Sequence, residues 1–201
     1  MALPHPPSPP SPPSPSSESR RAVFLDRDDT LIHCRSVTPD GDLGDPALVR
    51  LVDGAAEACA ELARAGYALI VVSNQGGVAR GRYTEREVGA VNAKVNELLG
   101  GVIERFYYCP FHPRGVVPAY TREHPWRKPA PGMPLAAAQA MNLDLPRSWM
   151  IGDAERDIEA GHGAGCRAVR IGNAGVESRA EFVAPDLAHA ARIILRESDR
   201  S

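Results

Sequence analysis

Phe24-Leu25-Asp26-Arg27-Asp28-Asp29-Thr30 sets two carboxylates two residues apart at the point where an apolar run, Ala22 to Leu25, gives way to a loop. A run of that composition reads as a buried strand. Asp26 and Asp28 are therefore expected at the carboxyl edge of a sheet, where open α/β folds bind ligands. One aspartate there can attack an electrophile or hold a metal while its neighbour moves a proton. Aspartate and threonine are also ordinary turn formers, so the chemistry has to be read from the rest of the chain.

Three later stretches each end an apolar run with groups suited to phosphate. Ala68 to Val72 reads as a buried strand, and Ser73-Asn74-Gln75-Gly76-Gly77 follows it with a hydroxyl, two amides and a backbone free to approach a ligand. Arg127-Lys128-Pro129 brings two cations in front of a proline-opened helical run, Leu135 to Met141. There Lys128 can neutralise charge on a transferring phosphoryl group and Arg127 can clamp a second oxyanion. Trp149-Met150-Ile151-Gly152-Asp153 is a short strand ending in an acid, with Asp157 in the first turn of the next helix. Acids at that place suit a helix dipole, and Asp153 with Asp26 also makes a hard oxygen pair for Mg²⁺.

From Arg21 onward strands and helices alternate, which predicts a Rossmann-like three-layer α/β/α sandwich with a mostly parallel sheet. Helices are expected over Pro46 to Ala65, from the Thr84-Glu85-Arg86-Glu87 capping box to Leu99, over Ala154 to His162 and over Leu187 to Leu195. Further strands are expected over Val102 to Tyr108 and Arg167 to Ile171. The gaps between motifs are too short for a large cap domain, so the site should be open. Its rim would come from loops His33 to Asp45 and Cys109 to Trp126, where Arg80 and Arg127 can meet a second phosphate.

The chain has 201 residues, a formal net charge of -2 and 43% hydrophobic residues, which suits one domain with a substantial core. The near-neutral balance offers no electrostatic reason to bind nucleic acid or an anionic membrane. The four cysteines, at 34, 59, 109 and 166, are scattered rather than framed, so free thiols and a cytoplasmic monomer are expected. Residues 1–20 read as a disordered Pro/Ser-rich tail, 21–197 as the domain and 198–201 as a short C-terminal tail.

The set Asp26-Arg27-Asp28, Ser73-Asn74, Lys128 and Gly152-Asp153 with Asp157 resembles the four motifs of the haloacid dehalogenase superfamily of phosphohydrolases. Ser73 to Gly81, Tyr107-Tyr108-Cys109-Pro110 and Arg127 to Met133 narrow the likeness to the D,D-heptose 1,7-bisphosphate 7-phosphatase branch and its near relative, the histidinol-phosphatase domain. The resemblance implies hydrolysis of a small phosphorylated substrate through an aspartyl-phosphate. Asp26 would be nucleophile and Mg²⁺ ligand, and Asp28 the acid/base that also lends the metal its backbone carbonyl. Asp153 would complete the metal site, and Asp157 would orient Lys128 or a metal-bound water. Ser73 and Lys128 would stabilise the phosphoryl group. Asn74, Gln75, Gly76, Arg80 and Arg127 would line the substrate site, and Cys34, Arg35, Ser36 and Val37 sit where relatives contact the sugar.

Two departures bear on this reading. Zinc-binding members of the family carry Cys-x-His and a later Cys-x-Cys, where this chain reads Cys109, Phe111, His124 and Trp126. Zinc is therefore not expected, Cys109 and His124 being remnants and Phe111 and Trp126 apolar packing; a substitute site would need Cys109, His112 and His124. Asp29 stands where the family usually has glycine, a position aspartate tolerates in left-handed backbone. Other classes remain open: a catalytically silent phosphate-binding protein would keep the fold, and a phospho-accepting receiver domain would carry its phosphorylated Asp on a later strand than its acid pair.

Overall fold

The structure, a computed structural model, describes residues 19–38, 40–173, 175 and 177–198. Of the tail expected at residues 1–20, residues 1–18 lie outside them, as do residues 199–201 of the C-terminal tail expected at 198–201. Arg20, placed in the tail by the sequence reading, bridges Leu143 and pairs with Glu104.

In chain order the elements are β1 (Ala22–Leu25), α1 (Ala55–Arg64), β2 (Ala68–Asn74), α2 (Glu85–Leu98), β3 (Arg105–Cys109), α3 (Gly132–Met141), β4 (Trp149–Gly152), α4 (Glu155–Ala164), β5 (Arg167–Ile171), β6 (Phe182–Ala184) and α5 (Leu187–Ser198). The strands form one sheet in the order β3-β2-β1-β4-β5-β6, every pair parallel. This is the expected three-layer α/β/α fold, and the described residues contain no separate cap domain.

Period-two side-chain alternation divides the core. Val23, Leu25, Leu69 and Val71 face a layer that includes α1, α2 and α5, while Ala22, Phe24, Ile70 and Val72 face α3 and α4. With apolar cover on both faces β1 is wholly buried, as a central parallel strand should be. Leu25 pairs with Val71 of β2 on one side and Ile151 of β4 on the other, so the chain leaves all three strands at one edge. Strand order reverses about β1, and such a switch point opens a crevice there.

The helix expected from Pro46 to Ala65 is instead two pieces. Pro46–Leu48 is a single 3-10 turn capped by Asp45, and α1 starts only after Gly54 in left-handed conformation, φ 75°. Between them Leu51 bridges Ile32, Val52 N donates to Leu31 O at 3.0 Å and His33 N donates to Arg50 O at 3.0 Å. Pairing with the loop after β1 outcompetes the local helical pattern. β3 starts at Arg105 rather than Val102, and β6, three residues long, is too short for a periodic signal. The Thr84 box does cap α2: Thr84 N donates to Glu87 Oε2 at 2.7 Å. No helix among the described residues is long and apolar enough to cross a membrane.

Candidate active site

The end of β1 delivers Asp26 into a buried charge cluster. Lys128 Nζ donates to Asp26 Oδ1 and to the carbonyl of Val72, each at 2.7 Å, and lies 2.7 Å from Asp157 Oδ1. Asp157 Oδ2 accepts from Ala154 N at 3.1 Å, which ties the carboxylate to the start of α4. Asp26 and Lys128 are 3% and 2% exposed, so their charges act through little solvent. Burial pushes the Asp26 carboxyl up to about 7, with Asp157 and Asp28 adding to the rise and Lys128 opposing it. Burial also works against the Lys128 charge, but Asp157 and Asp26 outweigh it and hold the ammonium above its ordinary value.

The second aspartate is held from beneath by a residue the sequence reading passed over. Arg27 is fully buried; its guanidinium grips both oxygens of Asp28 at 3.0 and 3.3 Å, Gln75 Oε1 at 2.8 Å and Asn92 Oδ1 at 3.0 Å. Gln75 Nε2 donates to Asp28 Oδ2 at 2.8 Å and Ser73 Oγ at 2.7 Å, and Tyr83 OH donates to Gln75 Oε1. Ser73 Oγ thus accepts a hydrogen bond and keeps its own O–H to donate. Gln75, expected against the substrate, is instead completely buried inside this network. An arginine between two acids at the end of an apolar run was the available signal for Arg27.

Asn74, at the end of β2, likewise serves the scaffold, its amide exchanging two hydrogen bonds with the Lys128 backbone. Above it opens a cavity of about 360 Å³ lined by Asp28, Asn74, Gly76 and the arginines 35, 80, 127 and 156, with Asp29, Asp40, Gly41 and Asp42 completing the wall. Gly76 lines it; a Cβ there would lie 3.0 Å from Arg80 Nη1, 3.2 Å from His112 Cδ2 and 3.4 Å from Arg127 Nη1, so any other residue would displace these side-chain ends by a few tenths of an ångström. Arg80 is matched by Asp42 in a forked pair, its Nε donating to Oδ2 at 2.9 Å. Arg127 has the Phe111 carbonyl at 3.3 Å, and its own charge is disfavoured by burial, with Arg80 and Arg156 adding. Such a site favours an incoming anion. Arg156, in the first turn of α4 and three residues beyond Asp153, was not singled out from sequence.

Of the stretch expected at the sugar, Arg35 reaches the cavity and the others do not. Cys34 is buried with its thiol donating to Gly41 O at 3.1 Å, Val37 packs on the core, and Ser36 is exposed away from the cavity lining. Around the former zinc positions, Cys109 Sγ is 3.8 Å from Phe111 O and His112 Nδ1 accepts from Arg114 N. His124 stacks on Phe111 with centroids 4.4 Å apart, and Trp126 meets Tyr107 edge-on. These side chains pack on one another and on the core rather than converging on a point.

A convergent carboxylate group does exist elsewhere: Asp26, Asp153 and Asp157 each offer an oxygen within 4.8 Å of the others. Asp153 Oδ1 is buried without a hydrogen-bond partner among the described residues, the kind of orphaned oxygen a hard cation satisfies. The residues thus fit Mg²⁺. Asp157 is engaged with Lys128 and the start of α4, and the Asp28 carboxylate with Arg27 and Gln75, which leaves Asp26, Asp153 and the backbone carbonyl of Asp28, the set the resemblance implied, as candidate ligands.

Acids at the ends of β1 and β4, a hydroxyl at the end of β2 and a buried lysine define the class of α/β phosphohydrolases that work from a strand-end aspartate. Residues 125–194 match the HAD-hydrolase-like family. The chain is 36% identical over 146 residues to the D-glycero-beta-D-manno-heptose-1,7-bisphosphate 7-phosphatase of Yersinia pestis, covering 71% of this chain and 75% of that one. Against the enzyme of the same name from Escherichia coli K12 it is 35% identical over 142 residues, 69% and 72% of the two chains. The fold superposes on a putative HAD-like phosphatase from Mesorhizobium loti with a TM-score of 0.74 at 35% identity, covering 89% of this chain and 88% of that one. It superposes equally, at 0.74 and 28% identity with 88% and 99% coverage, on D,D-heptose 1,7-bisphosphate phosphatase from B. bronchiseptica complexed with magnesium and phosphate. The chain belongs to the haloacid-dehalogenase-like family of phosphatases represented by these heptose-bisphosphate enzymes, and it is a phosphatase.

Proposed function

We propose that this phosphatase removes the 7-phosphate of D-glycero-β-D-manno-heptose 1,7-bisphosphate through an aspartyl-phosphate on Asp26. The observation that carries the substrate class is the cavity itself: its lining includes Asp28 together with the arginines 80, 127 and 156, which suits a small molecule with more than one phosphate. The relatives' substrate supports the particular sugar.

In this reading Asp26 Oδ attacks phosphorus, the bond to the leaving sugar oxygen breaks, and Asp28 delivers the proton that oxygen needs. Asp28 then takes a proton from water as water attacks the phosphoaspartate, and Asp26 is regenerated. Arg27 and Gln75 aim Asp28 from below. Ser73 O–H and Lys128 Nζ donate to phosphoryl oxygens, and Gly76 lets the substrate lie against Arg127. Mg²⁺ would be held by Asp26, Asp153 and the Asp28 carbonyl, and the chemistry it supplies there is relief of the repulsion between an anionic nucleophile and an anionic phosphate. A one-domain enzyme over residues 21–197, without zinc, completes the reading.

Phosphate release from a panel tests it: heptose 1,7-bisphosphate, histidinol phosphate, other sugar phosphates and a 3′-phosphorylated oligonucleotide, each with Mg²⁺ and with chelator. Mg²⁺-dependent release led by the heptose bisphosphate is expected. Release led by another compound would reassign the substrate and keep the mechanism, and no release from any would return the silent phosphate-binding class.

A further inference from the structure

Asp29, three residues beyond Asp26, holds left-handed backbone at φ 59°. Its side chain is fully used. Oδ1 accepts from the backbone N–H groups of Cys34 at 2.9 Å and Arg35 at 3.1 Å, and Oδ2 lies 3.3 Å from Arg35 Nε. The guanidinium so anchored reaches across the mouth of the site and places Nη2 2.9 Å from Asp153 Oδ2. The other oxygen of Asp153, Oδ1, is the buried one without a partner among the described residues.

We infer that Arg35, tethered by Asp29, is a positioning residue that grips Asp153 by Oδ2 and thereby presents Oδ1 to the divalent cation. The inference rests on the cation reading given above. Asp153 follows the last residue of β4, so its backbone is set by the sheet while its carboxylate can still turn about its own bond. A contact from Arg35 removes that freedom, as outer-shell partners of metal ligands commonly do. A bare arginine this near a cation would repel it. The Asp29 carboxylate cancels that charge locally, so the pair supplies orientation with no net charge, which accounts for an acid at this position. Arg35 thus acts on the cation site through Asp153, in addition to its place in the cavity lining.

The charge-balanced double variant Asp29→Asn/Arg35→Gln isolates orientation, because it removes one charge of each sign. Mn²⁺ binding to the full chain, followed by electron paramagnetic resonance without substrate, should weaken about ten- to hundredfold, with the melting temperature in chelator within a degree or so of wild type. Double-variant affinity equal to wild type would overturn the inference. Arg35→Gln alone provides a second decision: if charge alone mattered, the unopposed Asp29 would tighten Mn²⁺ binding, whereas lost orientation weakens it. Tighter binding would overturn the inference. A wild-type chain that binds no Mn²⁺ at all would overturn the cation reading and this inference with it, a result distinct from normal wild-type binding with insensitive variants.

Discussion

Asn74 and Lys128 exchange two hydrogen bonds: Asn74 Nδ2 donates to the Lys128 carbonyl and Lys128 N donates to Asn74 Oδ1, both at 3.0 Å. Fifty-four positions apart in the chain, they tie the loop before α3 to the end of β2. The lysine backbone is thereby fixed where Nζ can meet Asp26, Asp157 and the Val72 carbonyl together. The amide expected to face the substrate lines the cavity and also sets the position of Lys128.

Asn74→Ala should therefore lower kcat by about tenfold or more, since it releases both backbone bonds, each worth about 1 kcal/mol net. Cation affinity should change less, because the amide makes no bond to Asp153 and reaches Asp26 only through Lys128. Steady-state kinetics beside a Mn²⁺ titration separates the two readouts; a change confined to KM would favour a direct substrate contact.

Asp26→Asn should abolish turnover and leave the circular dichroism spectrum unchanged, because it removes the nucleophile and keeps the shape. Turnover near the wild-type rate in that variant would sink the covalent scheme.

The raised Asp26 carboxyl sets a pH dependence. Attack needs the carboxylate, so at limiting Mg²⁺ activity should fall as pH drops through about 7, and added Mg²⁺, which favours the charged form, should move that limb to lower pH. Stability runs the opposite way. A carboxyl whose folded value is raised from 3.8 to about 7 contributes stability that is fully present below 3.8 and lost as pH rises through about 7. Melting curves of the cation-free protein should show that loss between those limits, and Asp26→Asn should flatten it.

Lys128→Met should destabilise the fold by about 3–5 kcal/mol, the usual cost of leaving buried charges unpaired, here Asp26 and Asp157. Adding Asp157→Asn should recover part of that loss. Urea denaturation of the two variants measures both, and strict additivity would show that the lysine and Asp157 do not act as one unit.

Arg127→Ala and Arg156→Ala should each lower kcat/KM for a bisphosphate by about 1–3 kcal/mol, the scale of a charge-assisted hydrogen bond. Hydrolysis of a monophosphate such as p-nitrophenyl phosphate should change far less, since that substrate has no second phosphate. Equal losses on both substrates would place these arginines at the reacting phosphate.

The order of strands and of strand-end acids was legible because it depends on short-range composition: apolar runs of strand length, each followed at once by Asp26, Ser73 or Asp153, can be read without knowing their neighbours. The left-handed turn at Asp29 and the cap at Thr84 are local in the same sense. The roles of Asn74, Gln75 and Arg27 were not legible, because each is set by partners tens of residues away. Arg27 stands between two acids in the sequence, but its burial at zero exposure beneath Asp28 is set by Gln75 and Asn92. The helix expected from Pro46 failed for the same reason, its apolar spacing being used by loop residues 49–52 packed beside residues 31–33.

By itself, then, the amino-acid sequence determined a parallel α/β fold with polar groups at its strand ends, since burial of apolar runs and the placement of polar groups at their ends are local consequences of composition, while the likeness of its motifs pointed to the phosphohydrolase family. Only the tertiary structure decided which polar groups face the ligand and which face each other. It turned Gln75 inward, tied Asn74 at the cavity wall to the Lys128 backbone, matched Arg80 with Asp42, left Arg127 and Arg156 toward the cavity and linked Asp29 through Arg35 to Asp153. Hydrogen bonds and ion pairs form wherever packing brings partners within about 3 Å, and that proximity exists only once the strands have paired.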